Sequence, residues 1–132
     1  MRGDQAEGFG FERLDVWKRA VAFSARIYEL TRGFPKEELF GLTTQLRRAA
    51  VSVVANIAEG TSRSSGKEQA RFFEIAYGSL NEIAAILYIV RAQGLAPDDG
   101  FDTLRLEILE MCRMMSGLKR SALSRVRTEV ER

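Results

Sequence analysis

The 132-residue sequence contains no histidine, one cysteine and two prolines. Without histidine, Ser-His and Cys-His catalytic pairs and histidine metal sites are all excluded. The single cysteine, Cys112, excludes a disulfide framework and a cysteine-rich zinc site. The net charge is only +2, so any binding of nucleic acid must depend on a local basic patch. We therefore predict neither a metal nor a cofactor.

Long uncharged segments are also missing from the sequence. The longest, 49–58, has ten residues, whereas a membrane-spanning helix requires roughly 20. The first 13 residues are charged and rich in glycine, and they lack the apolar stretch of a secretory signal. We expect a protein of the reducing cytoplasm with no membrane contact, in which Cys112 stays a free thiol.

Apolar residues make up 45% of the chain, and they recur at the spacing of helices. The joints between the apolar segments are short, and short joints make consecutive helices antiparallel neighbours. The sequence therefore predicts an all-α fold, an up-down antiparallel four-helix bundle that forms a single domain over residues 1–132. Glycine and proline mark the joints, and Ser64 or Ser65 is the expected cap of the third helix. The predicted helices cover about 14–32, 36–59, 67–93 and 99–121, with flexible tails at both ends.

The first predicted helix has one apolar series at three-to-four spacing, which we assign to the core: Leu14, Trp17, Val21, Ala25 and Tyr28. The second and third helices differ because they are apolar or small on their outer sides as well. A helix that is apolar all round is normally buried all round. Either the first and fourth helices wrap further around them, or these outer sides form subunit contacts in a homo-oligomer. The predicted oligomer interface consists of Val51, Ala55, Tyr77, Gly78, Asn81, Ala85 and Tyr88.

Several polar side chains lie within or beside the apolar stretches. Glu59 and Glu82 could serve as a general acid and base, but no histidine, phosphate-binding loop or activated nucleophile accompanies them. We favour a non-enzymatic interpretation in which hydrogen bonds between these polar groups fix the register of the helices. The predicted structural polar network consists of Arg47, Arg48, Asn56, Glu59, Ser79 and Glu82.

Basic residues concentrate in two stretches, 47–71 and 119–132, each with a net charge of +3, whereas 95–110 has a net charge of −4. Each stretch is either a solvated surface of mixed charge or a patch that contacts phosphates. No aromatic residues interleave with the basic ones in a pattern that would stack on bases, so we expect weak sequence preference. The predicted nucleic-acid contacts are Arg63, Lys67, Arg71, Lys119, Arg120, Arg125 and Arg127.

Three segments of the chain resemble the bacterial four-helix-bundle proteins encoded in intervening sequences of 23S ribosomal RNA genes. They are LDVWKRA at 14–20, IYELTRGFPKEELFGLTTQLRRAAVSVVANIAEG at 27–60 and FFEIAYGSLNEI at 72–83. The resemblance implies a ring of bundles, a homopentamer, and it suggests a role in binding ribosomal RNA. The recurrent Arg-Arg, Asn-x-x-Glu-Gly and Gly-Ser-x-x-Glu positions of these proteins correspond to Arg47, Arg48, Asn56, Glu59, Gly60, Gly78, Ser79 and Glu82.

The resemblance brings no catalytic residues, and it leaves two functions open. The first is a non-enzymatic oligomer that binds RNA or DNA through repeated basic patches. The second follows from the related accessory variability proteins of diversity-generating retroelements, which share the bundle. It is a protein-interaction scaffold, such as an accessory partner of a reverse transcriptase.

Overall fold

The computed structural model describes residues 7–131, and its side chains are described through Val126. Within that range the chain forms four α-helices and no strand, which confirms the predicted all-α fold. Successive helices are neighbours joined by short connections, as the up-down bundle requires. A 3-10 turn, Gly10–Arg13, precedes the first helix. The helices are α1 (Asp15–Arg32), α2 (Thr44–Ser62), α3 (Gly66–Ala92) and α4 (Asp98–Glu131).

The second helix begins later than the predicted position near Lys36. A 3-10 turn covers Lys36–Glu38, and a π-helical turn follows over Leu39–Thr43. Within that turn Gly41 has φ −117° and ψ −109°, values outside the helical region. Glycine has a low preference for helices. The non-helical backbone at Gly41 interrupts the helical conformation before the regular helix begins at Thr44. The same helix ends at Ser62 rather than Glu59, because Gly60 is buried within it.

The core stripe of α1 is only partly the predicted one, because Leu14 and Trp17 pack against the core but Val21 and Ala25 do not. Its buried residues are Val16, Ala20, Phe23, Ile27 and Thr31, whereas Val21 is 41% exposed and Ala25 is also exposed. Two apolar series run along this helix about one residue apart, and both have helical spacing. The helix turns the series with Phe23 and Ile27 inward, because those two side chains bury more apolar surface than Val21 and Ala25.

All four helices contribute to one hydrophobic core. α3 lies centrally and packs along both α2 and α4. In α3 the buried set includes Phe73 and Leu80, whereas Ile75 is 42% exposed. The largest fully buried side chains are Phe23, Ile27, Leu46, Ile57, Leu80, Ile83, Leu87, Met111 and Met115.

The two ends of α3 have clear local causes. Ser65 is the N-cap, as predicted, and its hydroxyl accepts a hydrogen bond of 3.1 Å from the backbone N–H of Glu68. At the other end Gly94 has φ +68°, a left-handed conformation that glycine adopts without strain. The backbone N–H of Leu95 then donates to the carbonyl of Val90 at 3.0 Å, which closes the helix.

The last helix extends ten residues beyond its predicted end. The sequence predicts an end near residue 121 followed by a flexible tail, but α4 continues to Glu131. Ala122 is fully buried because it lies directly against Gly66, at the start of α3. The packing of α4 on α3 therefore extends beyond the predicted end of the helix.

Candidate nucleic-acid and subunit interfaces

The antiparallel packing of α3 and α4 brings the two basic stretches to the same end of the bundle. Gly66 meets Ala122 there, so residues 59–74 and 119–126 lie side by side. We call these two segments together the basic end. They contain six basic and three acidic residues, a net charge of +3. The two segments are about fifty residues apart in the sequence, so the order of charges along the chain does not reveal this cluster.

Two arginines of the basic end are held by an aromatic ring. The guanidinium of Arg63 lies 4.8 Å from the ring centroid of Phe72, and that of Arg71 lies 5.9 Å from the same ring. Arg63 also pairs with Glu59 at 2.7 Å, and Arg71 lies 3.9 Å from Glu68. This role of Phe72 was not predicted from the sequence, although its position next to Arg71 was a usable signal.

The remaining basic residues come from both helices. Lys119 Nζ lies 3.5 Å from a carboxylate oxygen of Glu74, and Arg125 donates to the side-chain oxygen of Gln69. Lys67 and Arg120 are exposed and have no acidic partner within the described part of the chain. Of the seven predicted nucleic-acid contacts, six therefore share one end of the molecule. The seventh, Arg127, lies outside the residues whose side chains are described.

The position of Lys67 is not explained by helix stability. It lies in the first turn of α3, where the helix dipole is positive and a basic side chain is unfavourable by about 0.3–1 kcal/mol. By contrast, α4 begins with Asp98 and Asp99, which is the favourable arrangement. The acidic stretch 95–110 belongs to the opposite end of the bundle, so the charge is distributed unevenly along the long axis.

The predicted subunit interface is exposed in the single chain. Val51 is 50% and Tyr88 is 46% exposed. One side of Tyr88 contacts α4, because its ring packs edge-on against that of Phe101 at 4.9 Å and its hydroxyl accepts a hydrogen bond from Arg105. The other predicted members, Ala55, Tyr77, Gly78, Asn81 and Ala85, are exposed as well. We call the surface formed by these seven residues the α2–α3 face. In the single chain, α1 and α4 therefore leave much of this second face exposed, although α4 contacts it at Tyr88.

Three further apolar side chains are exposed but do not belong to the predicted interface. Ile75 and Ile89 belong to the outward side of α3, next to the α2–α3 face. Phe40, in the π-helical turn before α2, is 92% exposed. The predicted continuous helix from Lys36 concealed this exposure, because a regular helix would have aligned Phe40 differently.

The six residues predicted as one polar network lie in separate places. Asn56 donates to the carbonyl and hydroxyl oxygens of Ser52 at 2.8 and 3.0 Å, and Ser52 shares a 2.8 Å hydrogen bond with Ser79. This cluster joins α2 to α3, as a network that fixes register should. Glu59 is instead exposed and paired with Arg63.

Arg47 belongs to a second cluster, between α1 and α2. Its Nε donates to the hydroxyl of Thr31 at 2.8 Å, and its guanidinium lies 4.6 Å from the ring centroid of Tyr28. Arg48 and Glu82, the last two members of the predicted network, are exposed and belong to neither cluster. The register is therefore set by small hydroxyl and amide groups rather than by buried carboxylates.

The geometry separates Glu59 and Glu82. Because Ser52 faces Ser79 in antiparallel helices, Glu59 lies level with Phe72, ten residues from Glu82 along α3. Ten residues of helix span about 15 Å, which is too far for the two carboxylates to act together on one bond. Within the described residues, no group of three or more His, Cys, Asp or Glu side chains could hold a metal ion.

Residues 12–117 match the family model of the 23S rRNA-intervening sequence proteins. The chain belongs to this family. The match covers α1, α2 and α3 and more than half of α4. It therefore confirms the resemblance that the three sequence segments indicated.

The fold recurs in a solved structure of the S23 ribosomal protein family. That protein, of unknown function, comes from Bacteroides thetaiotaomicron, and its crystal structure was determined at 1.70 Å resolution. The two chains are 19% identical and superpose with a TM-score of 0.71, over 79% of this chain and 97% of that chain. At this identity the similarity establishes the fold alone. No curated protein matches the chain.

The family match divides the basic end of this 23S rRNA-intervening sequence protein. Arg63, Lys67 and Arg71 lie inside the matched range, whereas Lys119, Arg120 and Arg125 lie after its last residue, 117. The α3 contribution to the basic end thus belongs to the family's common segment. The α4 contribution comes from the additional turns that pack against Gly66.

One helix of this family member, α3, is long and apolar enough to cross a membrane by composition alone, judged over the described residues. In its most apolar window, 44% of the residues are buried within the bundle. Its buried side has α2 and α4 as neighbours, and its outer side is the α2–α3 face. The high apolar content therefore reflects a helix with two apolar sides.

The free thiol of Cys112 gives a test of the packing of α4. Burial raises the pKa of Cys112, so less of the reactive thiolate is present at neutral pH. We expect the folded protein to react with a thiol reagent at pH 7.5 more slowly than the same protein in guanidinium chloride, and the rate to keep rising above pH 9. Equal rates in the folded and unfolded states would contradict the burial of this residue.

Proposed function

We propose that this protein is a non-enzymatic homo-oligomer that binds nucleic acid, RNA or DNA, through its basic end in the cytoplasm. The observation that supports this most directly is the packing of α4 beside the start of α3. It collects six basic side chains from two distant stretches at one end of the bundle. Net positive charge concentrated on one region is the electrostatic signature of phosphate binding.

Oligomerisation would make a modest patch effective. One basic end carries a net charge of only +3, but each additional phosphate contact strengthens binding. In a ring, the α2 side of this face in one subunit would meet the α3 side of the face in the next subunit, and the assembly would present several basic ends together. The family resemblance suggests five copies, and we adopt a homopentamer as the working hypothesis.

The contacts should be to phosphates rather than to bases. Phe72 is already covered by Arg63 and Arg71 and is not free to stack on a base. Phe9 is 70% exposed but lies next to acidic residues, and its backbone N–H donates to the carboxylate of Glu12. A surface of this kind recognises the shape and charge of a nucleic acid with weak preference for its sequence.

A salt titration tests the proposal. The double change Lys67→Ala and Arg71→Ala removes two exposed positive charges from the basic end. We expect it to reduce the slope of log affinity against log salt by about 0.7–0.9 for each lost contact per subunit. The measurement compares binding to structured RNA and duplex DNA between about 50 and 200 mM salt, where such contacts change affinity strongly.

The matched control is Arg32→Ala together with Lys36→Ala. Both residues are exposed and lie at the opposite end of the bundle, and replacing them removes the same net charge. An equal change in slope for both pairs would show that net charge, and not the basic end, governs binding. If the wild type does not bind at about 50 mM salt, the nucleic-acid proposal is wrong. The exposed apolar face and Phe40 then favour the alternative, a protein scaffold such as a reverse-transcriptase partner.

A further inference from the structure

An open cleft of about 490 Å³ separates the outer sides of α2 and α3. Arg48 forms one wall and Glu82 the other, with the hydrogen-bonded pair Ser52 and Ser79 between them. Gln45 and Ala49 complete the lining. The cleft therefore carries one positive and one negative side chain on opposite sides.

Among the described residues, neither charge has a partner in its own chain. In the described part of the molecule, Arg48 and Glu82 make no ion pair with each other and no ion pair or hydrogen bond with any other residue. The neighbouring arginine, Arg47, is by contrast fully engaged with Thr31 and Tyr28. Arg48 and Glu82 are thus available to a partner that approaches the cleft.

The surroundings of the cleft identify the kind of partner. Val51 and Ala55 follow Arg48 along α2, and Ala85 and Ile89 follow Glu82 along α3, all exposed. A small polar ligand would leave these apolar side chains in water. A second copy of this chain carries the same apolar residues, one arginine and one glutamate. Its apolar surface can therefore pack on the apolar surface of the first copy, and its charges can pair with those of opposite sign.

We propose that Arg48 of one subunit pairs with Glu82 of the partner subunit across the α2–α3 face. This inference rests on the proposed homo-oligomer and names the contact that would fix its geometry. The apolar residues supply affinity without selecting an orientation. Two opposite charges surrounded by apolar surface do select one, because any arrangement that leaves either charge buried and unpaired is strongly unfavourable.

Charge reversal gives a decisive experiment. Arg48→Glu leaves two glutamates at the proposed contact, and Glu82→Arg leaves two arginines. We expect each variant alone to raise the Kd of assembly at least about tenfold, because like charges then meet. Mixing the two variants should restore much of the assembly, because positions 48 and 82 carry opposite charges at every contact between unlike variants. At least one contact in a ring of five must still join two like variants, so we expect partial recovery. The readout is molecular mass by analytical ultracentrifugation over a concentration series.

The control is Glu29→Arg, a charge reversal at an exposed position of α1, away from the cleft, which should leave the mass unchanged. Circular dichroism confirms that each chain is folded, as expected for exposed positions. Recovery in the double variant Arg48→Glu, Glu82→Arg, without recovery on mixing the single variants, would overturn the inference, because the pair would then lie within one chain.

The failure of this inference is distinguishable from failure of the proposed function. A monomeric wild type contradicts the homo-oligomer itself. A wild-type oligomer whose mass is unaffected by either reversal keeps the oligomer and overturns only the Arg48–Glu82 contact. The binding of nucleic acid is measured separately, with residues of the basic end.

Discussion

Replacing Gly66 with alanine should destabilise the bundle by about 3 kcal/mol, the upper end of the usual cost of overfilling a packed site. A Cβ atom at this position would collide with the backbone carbonyl oxygen of Ala122 and would lie 3.1 Å from a methyl group of Val126. A backbone oxygen cannot rotate away as a flexible side chain can. The start of α3 and the last third of α4 must therefore move apart, and chemical denaturation should show the loss.

The matched control is Gly117→Ala, in the interior of α4. A Cβ atom there meets only the terminal nitrogen of Arg120, at 4.0 Å. Alanine is favoured over glycine inside helices by about 0.5–1 kcal/mol, so this variant should be slightly more stable than the wild type. If Gly66→Ala were equally harmless, the close approach of α3 and α4 would be wrong, and with it the assembly of the basic end.

Much of the fold was predictable because its determinants are local. Gly33 and Pro35, Ser65, and Gly94 end or begin helices through their own backbone and capping properties, and the joints fall close to them. The core stripe of α1 was not predictable in this way. Two apolar series with the same spacing fit one helix, and only packing against the other three helices decides which one is buried.

The candidate sites depended even more on tertiary packing. The spacing of Lys67 and Arg71 showed that they share one side of a helix, but nothing local indicates that Lys119 and Arg125 lie beside them. The proposed polar network failed for a similar reason. A helical wheel placed Glu59 near the apolar stretch, whereas its actual partner is Arg63, one turn away and in solvent.

The outer sides of α2 and α3 are apolar both in the sequence pattern and in the structure. Their lack of charge from residue 49 to 58 and from 83 to 90 is visible in the sequence. The structure adds that the single chain leaves these faces open, with Val51 and Tyr88 about half exposed. Contiguous apolar surface of this kind marks an interaction site, which leads to the prediction with the largest effect on assembly.

Ala55→Glu is expected to weaken subunit association by about 3 kcal/mol for each interface, because the new carboxylate would be buried without a partner. That corresponds to a rise of more than about a hundredfold in Kd. Ala85→Glu, at the corresponding exposed position of α3, should act in the same direction. Sedimentation at micromolar concentration measures the mass of each variant, and circular dichroism should show unchanged helicity, since both alanines are exposed in the single chain.

Ala25→Glu is the matched control, because it places a glutamate four residues before Glu29 just as Ala55→Glu places one four residues before Glu59. The small repulsion along the helix is therefore the same in both variants, and Ala25 is also an exposed alanine in a helix interior. Ala25 lies on the outer side of α1, away from the α2–α3 face. The oligomer formed by the Ala25→Glu variant should therefore have the same mass as the wild-type oligomer. Equal masses for Ala55→Glu and the wild-type oligomer would exclude the α2–α3 face as the subunit contact, because a buried, unpaired carboxylate cannot be accommodated there without cost.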